Sequence, residues 1–357
     1  MTNLYVGRET LKRAAHLGGG VLSAERDKEI DRIIETYSRR FDRATRRFYI
    51  PIIQTRLYRW PSDLHRGGTT LWLDQDLISI TTLKSEAQNS SPTTIAADDY
   101  FLEPNNTGPP FNRIEIDLSS SAAFQSGDTP QRSISVLGSW GYSGMTRSVG
   151  TVSSGLSSVA TDTTMVCSDA SLIDVGDTLL IDTEQIFVAD RVNAANGSEL
   201  LNDANVTALM SNVSITVDTG SNFNAGEVIL VDSERMLITS ITGNVLTVVR
   251  TWEGTVLAAH ADDAAVHVFR SLTIERGVNG TTAATHTDAT AISKYEPPFD
   301  VTQLVMAECL NAYQQGQSAW GGTAGGGEAA RELDGIALSD LRKRVIGDFR
   351  KVRSAAI

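Results

Sequence analysis

Val175-Gly176-Asp177-Thr178-Leu179-Leu180-Ile181-Asp182-Thr183-Glu184-Gln185-Ile186 returns at an offset of 50 as Ala225-Gly226-Glu227-Val228-Ile229-Leu230-Val231-Asp232-Ser233-Glu234-Arg235-Met236. A second pair of stretches is offset by only 26: Leu246-Thr247-Val248-Val249-Arg250-Thr251-Trp252-Glu253-Gly254-Thr255 with His260, and Leu272-Thr273-Ile274-Glu275-Arg276-Gly277-Val278-Asn279-Gly280-Thr281 with His286. Thr, Val, Asp and Gly dominate this region and strand signals recur at short spacing. Two unequal offsets do not make a simple tandem; they result when one β-domain is inserted into another. The outer domain is then expected at 150–192 joined to 271–296, and the inner one at 193–270, entered at the hairpin that Thr242-Gly243-Asn244 closes in the inner copy. Insertion at a hairpin tip costs little, because tips are exposed and their ends are close. A tandem with one degenerate copy would require two half-motifs to have been lost.

Outside this region the pattern changes to helix. From Ser23 onward, Ile30, Ile34, Tyr37, Phe41, Ala44 and Phe48 recur at steps of four and three, one apolar stripe at helical period. Arg26, Lys28, Arg32, Arg39, Arg40, Arg43, Arg46 and Arg47 make the rest of that helix basic, so it is either a solvated bundle helix or a face that meets a partner. Pro51 ends it, and Ile52 to Trp60 reads as a strand. A shorter helix is expected over Arg8 to Leu17, followed by a flexible Gly18-Gly19-Gly20. Further strands are expected at Thr70 to Leu73, Asp76 to Leu83, Tyr100 to Leu102, Arg113 to Leu118 and Arg132 to Leu137. After Pro297-Pro298, Val301 to Tyr313 is apolar around most of its circumference and reads as a buried helix. Gly321 to Gly327 is a flexible loop, and Leu338 to Val352 a last basic helix. The expected fold class is α+β: a helical bundle with a small β part, split between 1–149 and 297–357, with two all-β domains inserted between, the second nested in the first.

The formal charge of −12 is unevenly distributed. Residues 1–60 carry thirteen Lys and Arg against seven Asp and Glu, whereas residues 151–298 carry six against nineteen. The acidic middle should not seek nucleic acid, and the basic helix suits an acidic partner or DNA nearby. No apolar run is long enough to span a membrane, and Lys12, Arg13 and His16 interrupt any leader-like stretch. Cys167 and Cys309 lie far apart, on apparently different units, so a disulfide framework is not expected.

Chemistry-bearing patterns are few. Gly321 to Gly327 lacks the Lys-Ser/Thr ending of a phosphate loop. The five histidines show no metal-ligand spacing; His260 and His286 are repeat-equivalent and read as serving one turn in each copy. The pairs Asp182/Glu184 and Asp232/Glu234 invite a calcium or general-acid reading, but no calcium-loop pattern surrounds them. No catalytic residues, cofactor or metal are expected, nor an enzyme.

The two flanking pieces together resemble the head-to-tail connector (adaptor) proteins of tailed bacteriophages. The resemblance lies in the order of parts: Arg46-Arg47-Phe48-Tyr49-Ile50-Pro51 closing the helix, Thr55-Arg56-Leu57-Tyr58-Arg59-Trp60-Pro61, Leu71-Trp72-Leu73-Asp74-Gln75-Asp76-Leu77, Asp98-Asp99-Tyr100-Phe101-Leu102, Gly138-Ser139-Trp140-Gly141-Tyr142, Pro297-Pro298-Phe299-Asp300-Val301, and Leu338 to Arg342 near the end. It covers a little over half the chain. The Arg-x-x-x-Gly-Thr…His pattern of the inserts looks like β-modules spliced into phage structural proteins. The resemblance implies a virion protein of the neck, made in the host cytoplasm. It implies a homo-oligomeric ring, a dodecamer in such proteins, under the portal protein. A stopper or tail-terminator protein would follow it, and genome DNA would pass through the channel without sequence-specific binding or any membrane. Contacts to the portal or to neighbouring subunits are expected at Arg39, Arg43, Arg46 and Arg47 and at Arg342, Lys343, Arg344, Arg350, Lys351 and Arg353. The alternative is a tail- or fibre-associated module that binds carbohydrate or a host surface. It would need exposed aromatic platforms, and the insert region offers little beyond Phe187, Phe223, Trp252, Phe269 and Tyr295.

Overall fold

The computed structural model of the chain describes residues 3–17, 21–60, 68–194, 199–203, 206–317, 323–324, 331–332 and 336–351. The expected glycine break at 18–20, most of the loop at 321–327, and Arg353 lie outside them. Four helices, α1 (Arg8–Leu17), α2 (Asp27–Thr45), α3 (Phe299–Gln317) and α4 (Ile336–Phe349), share one apolar core, so the two ends of the chain meet. The buried stripe of α2 is Ile30, Ile34, Ser38, Phe41 and Thr45. It departs from the expected stripe because two small polar residues find partners there. Tyr5 N–H donates to Ser38 Oγ (3.2 Å) and Thr45 Oγ1 to Phe41 O (2.9 Å). Phe48 lies beyond the helix and packs on the neighbouring sheet. Around α3, Val301, Leu304, Val305 and Cys309 are fully buried, as a helix apolar on several sides requires.

The segment between α2 and the inserts is an antiparallel sheet with its own core. Its strands are β1 (Ile52–Tyr58), β2 (Thr70–Ser85), β3 (Thr93–Ile95), β4 (Tyr100–Glu103), β5 (Phe111–Ile116) and β6 (Ile134–Trp140), ordered β1-β6-β2-β5-β4 with β3 on β2. Strand β6 alternates buried and half-buried positions and ends in the buried Trp140, whose Nε1 donates to Gln54 O (3.0 Å). The two expected strands at 70–83 are one strand of 16 residues. Asp74-Gln75-Asp76 looks like a break in the sequence. In the sheet Asp74 accepts from Arg56 and Tyr58, and Asp76 is ion-paired with Arg47 and Lys351, so neither carboxylate needs a turn.

Ten further strands are β7 (Thr146–Thr151), β8 (Thr164–Val166), β9 (Thr178–Ile181), β10 (Glu184–Ala194), β11 (Ser214–Thr216), β12 (Val228–Val231), β13 (Glu234–Thr242), β14 (Val245–Val249), β15 (Val266–Glu275) and β16 (Ala291–Tyr295). They form one ten-stranded sheet, ordered β11-β14-β13-β12-β15-β10-β9-β16-β7 with β8 on β15. Two units with the same register lie in it. Glu184 pairs with Ile181 as Glu234 does with Val231, Met165 with Leu272 as Ile215 does with Leu246, and Ser293 with Leu180 as His267 does with Leu230. Strand β15 serves both: Val266–Val268 closes the inner unit against β12, and Ser271–Glu275 pairs with β10 as β14 pairs with β13. Where Thr242 and Val245 are joined by Gly243-Asn244, the equivalent pair Val192 and Ser271 is joined through the inner unit. Each unit has its own buried core.

The expected fold class needs correction. Among the described residues the chain is mostly β, with sixteen strands in two large antiparallel sheets and four α-helices, not a helical bundle with a small β part. The long periodic helices dominate the sequence pattern, but β strands need only short alternating runs. Several of these, among them β3 and β7, are too short or too polar to stand out.

Candidate functional site

The structure places the expected contact residues in two groups. Arg39 is half-buried and engaged within the chain: it donates to Asn3 O, pairs with Asp42 at 2.7 Å and stacks on Tyr5 at 5.7 Å. Burial drives the Asp42 carboxyl up to about 6, against the opposing pull of Arg39. Arg342 pairs with Glu308, and Arg47 and Lys351 share Asp76 at 3.3 and 3.2 Å. Arg43, Arg46, Lys343, Arg344 and Arg350 are exposed. Arg46 turns the chain at the end of α2 with φ 58°, its N–H donating to Asp42 O at 2.7 Å. The end of α4 is fastened to this turn, because Lys351 N–H donates to Thr45 O at 2.9 Å. Phe349 packs edge-on against Tyr49 and Tyr142 beside it. Two basic segments from opposite ends of the chain thus meet. With Arg32 and Arg40, the exposed residues over 31–46 and 337–350 include seven cations against Glu35, Asp340 and Asp348.

The repeated acidic pairs have a different role. Glu234 is fully buried and accepts five hydrogen bonds: Arg250 Nε (2.8 Å) and Thr251 N–H (3.0 Å) on Oε1, and Arg250 Nη2 (2.7 Å), Ala258 N–H (3.1 Å) and His260 Nε2 (3.0 Å) on Oε2. His260 Nδ1 lies 2.7 Å from Asp232 Oδ2. Glu184, Arg276, Gly277, Ala284, His286 and Asp182 repeat the arrangement contact for contact, at 2.7 to 3.0 Å. Each imidazole has a carboxylate oxygen at both nitrogens, so only its doubly protonated form donates to both. Burial by itself would raise the two glutamates, but the guanidinium, the backbone N–H groups and the imidazole outweigh it and hold both at about 2. With both oxygens occupied and no solvent contact, each glutamate ties its hairpin to the Arg–His loop and has no capacity left for a ligand. The sequence signal was present in Arg250/Arg276 and His260/His286, which recur at the same offset, but the partner of each arginine lies in the other repeat family.

Helix α1 was expected as a minor piece and is instead the junction of the molecule. Arg8, Glu9 and Lys12 are buried. Arg8 pairs with Asp31 (2.5 Å), Asp190 (3.1 Å) and Asp27 (3.3 Å), and Lys12 with Asp27 (2.7 Å) and Glu253 (3.0 Å). Glu9 accepts from Val175 N–H at 2.7 Å, and Arg13 donates to Ser171 O and Gly226 O at 3.2 Å each. These contacts join the helical core to both β units.

Among the described residues no group of His, Cys, Asp and Glu could hold a metal ion, and no helix is long and apolar enough to cross a membrane. Cys167 and Cys309 are both buried and unbonded to each other. The chain matches no family model, no curated protein and no solved structure.

Proposed function

We propose that this chain is a structural subunit of a tailed-phage neck: a head-to-tail adaptor that assembles as a ring under the portal, with genome DNA passing through the ring. The observation that carries this reading is the meeting of the α2 and α4 ends on one exposed basic face, in a chain whose net charge is −12. Such a face docks on an acidic partner, and opposite charges steer the encounter. Rings arise from heterologous contacts that close by rotation, so each subunit presents two different faces to its neighbours. The basic face, at Arg43, Arg46, Lys343, Arg344 and Arg350, serves the portal; the nested β units thicken the neck or reach the next protein.

The test is charge reversal of Arg43, Arg46, Arg344 and Arg350 to Glu in a phage that carries this gene. These side chains are exposed, so each change should alter stability by no more than about 0.5 kcal/mol. Electron microscopy should then show DNA-filled heads beside complete, unattached tails. Intact tailed particles that fail only to adsorb would overturn the reading in favour of host binding. Truncation from residue 345 is less informative, because Val345 is buried in the helical core and Phe349 packs against it.

A further inference from the structure

Behind the basic face lies a cavity of about 260 Å³, lined by Arg47, Trp72, Asp76, Asn112, Arg350 and Lys351, with Leu73, Pro104 and Pro110 as apolar walls. Its charges do not balance. Asp76 is buried and is shared by Arg47 and Lys351, while Arg350 stands at the exposed side. Asp76 is the one carboxylate among these lining residues and pairs with both Arg47 and Lys351, so the three cations of the site exceed it by two charges. Burial draws the Lys351 ammonium below its ordinary range, Asp76 opposes this, and Arg47 adds to it. A part-buried excess of positive charge is costly unless an anion joins it. Two side-chain atoms of the lining also lack a hydrogen bond: Arg47 Nε and Asn112 Oδ1 are buried without one.

We propose that this cavity binds one carboxylate of an acidic peptide segment, held between the guanidinium groups of Arg47 and Arg350. Guanidinium and carboxylate match in shape and pair bidentately. The flat apolar walls suit the methylene stem of an acidic side chain. The acceptor at Asn112 suits the amide N–H that a peptide brings and a phosphodiester lacks, which favours a protein over nucleic acid. The inference deepens the docking reading for Arg47, Arg350 and Lys351, and rests on it only for which chain supplies the carboxylate.

The experiment titrates the full chain with acetyl-Gly-Glu-Gly-amide, whose one charge is a carboxylate, and with its glutamine counterpart. Inorganic phosphate and oligothymidylate are run in parallel. The readout is the Trp72 indole N–H resonance, assigned with Trp72→Phe. The glutamate peptide should give a saturating shift and the glutamine peptide none, and Arg350→Gln should weaken binding about tenfold. No saturable shift overturns the proposal, as does wild-type binding by both Arg350→Gln and Arg47→Gln. Tighter saturation by phosphate or oligothymidylate overturns it in favour of a phosphate site. The two readings fail separately. Peptide binding alongside intact neck assembly in the Arg43, Arg46 and Arg344 charge reversals removes the docking role alone. Absent peptide binding alongside lost assembly removes only the pocket.

Discussion

The outer and inner β units share register, hairpins and a buried Glu–Arg–His centre, yet differ in what they lean on. The turn after each arginine is the clearest case. Glu253 and Asn279 are repeat-equivalent, both with left-handed φ of 57° and 55°, and both face the N-terminal segment. Glu253 pairs there with Lys12, whereas Asn279 donates to Asn3 Oδ1 and Gln185 Oε1 at 2.8 Å each. The next residues differ in clearance. A Cβ on Gly280 would come within 2.0 Å of Ile53 O in β1; one on Gly254 would find nothing closer than Ser23 Cβ at 3.6 Å. At the hairpin tips the contrast is reversed in origin. Gly220 N–H donates to Asn244 Oδ1 at 3.1 Å within the inner unit, and its equivalent Ala170 N–H donates to Glu227 Oε1 at 3.0 Å, a residue of the inner unit. The inserted unit therefore supplies the cap that the lost tip would have given. Internal contacts define the module, and its loops are free to become docking surfaces.

The largest test removes the buried centres. Glu234→Gln leaves Arg250 without its carboxylate and should cost the inner unit about 3–5 kcal/mol. It should also weaken the outer unit, because an unfolded insert turns a two-residue connection into a long loop, at about 3 kcal/mol of closure entropy. Glu184→Gln should cost the outer unit as much but spare the inner one, which is closed by β12 and β15. Residue-level hydrogen exchange reads both; equal loss of protection in both units from Glu184→Gln would show a single cooperative block. The glutamates also set the acid limit. Each is depressed to about 2 in the folded chain from 4.5, so the stabilisation is complete above pH 4.5 and is lost as pH falls towards 2. Circular dichroism should show that loss in wild type and only its inner-unit part in Glu184→Gln.

Smaller effects sharpen the contrast in docking. Gly254→Ala should cost about 1 kcal/mol for its left-handed backbone, and Gly280→Ala about 1–3 kcal/mol more, because it also pushes against β1. Equal denaturant midpoints for the two would show that the outer unit does not press on β1 as the geometry requires. The smallest effect is expected for a folded domain spliced between Gly243 and Asn244. This tip corresponds to the place where the outer unit already carries a whole unit, and a Cβ on Gly243 would touch nothing within 4 Å. A loss well above about 1 kcal/mol in thermal unfolding would mean that the Asn244 cap matters more than the comparison allows.

The repeat, its two unequal offsets, the extent of α1, the helical period of α2 and the uneven charge are legible in the residues alone, because each is a local or periodic property. The folded structure set the rest. It made the protein mostly β, since short strands gain their stability from partners far along the chain. It buried Arg8, Glu9 and Lys12 in a helix whose sequence reads as surface, because Asp27, Asp31, Asp190, Arg191 and Glu253 arrive from three other regions to pair with them. It also divided the nine described basic residues of the expected contact set, alike in sequence, into those held within the fold and those left exposed. A charge is fixed by composition, but its partner is fixed only when the chain closes.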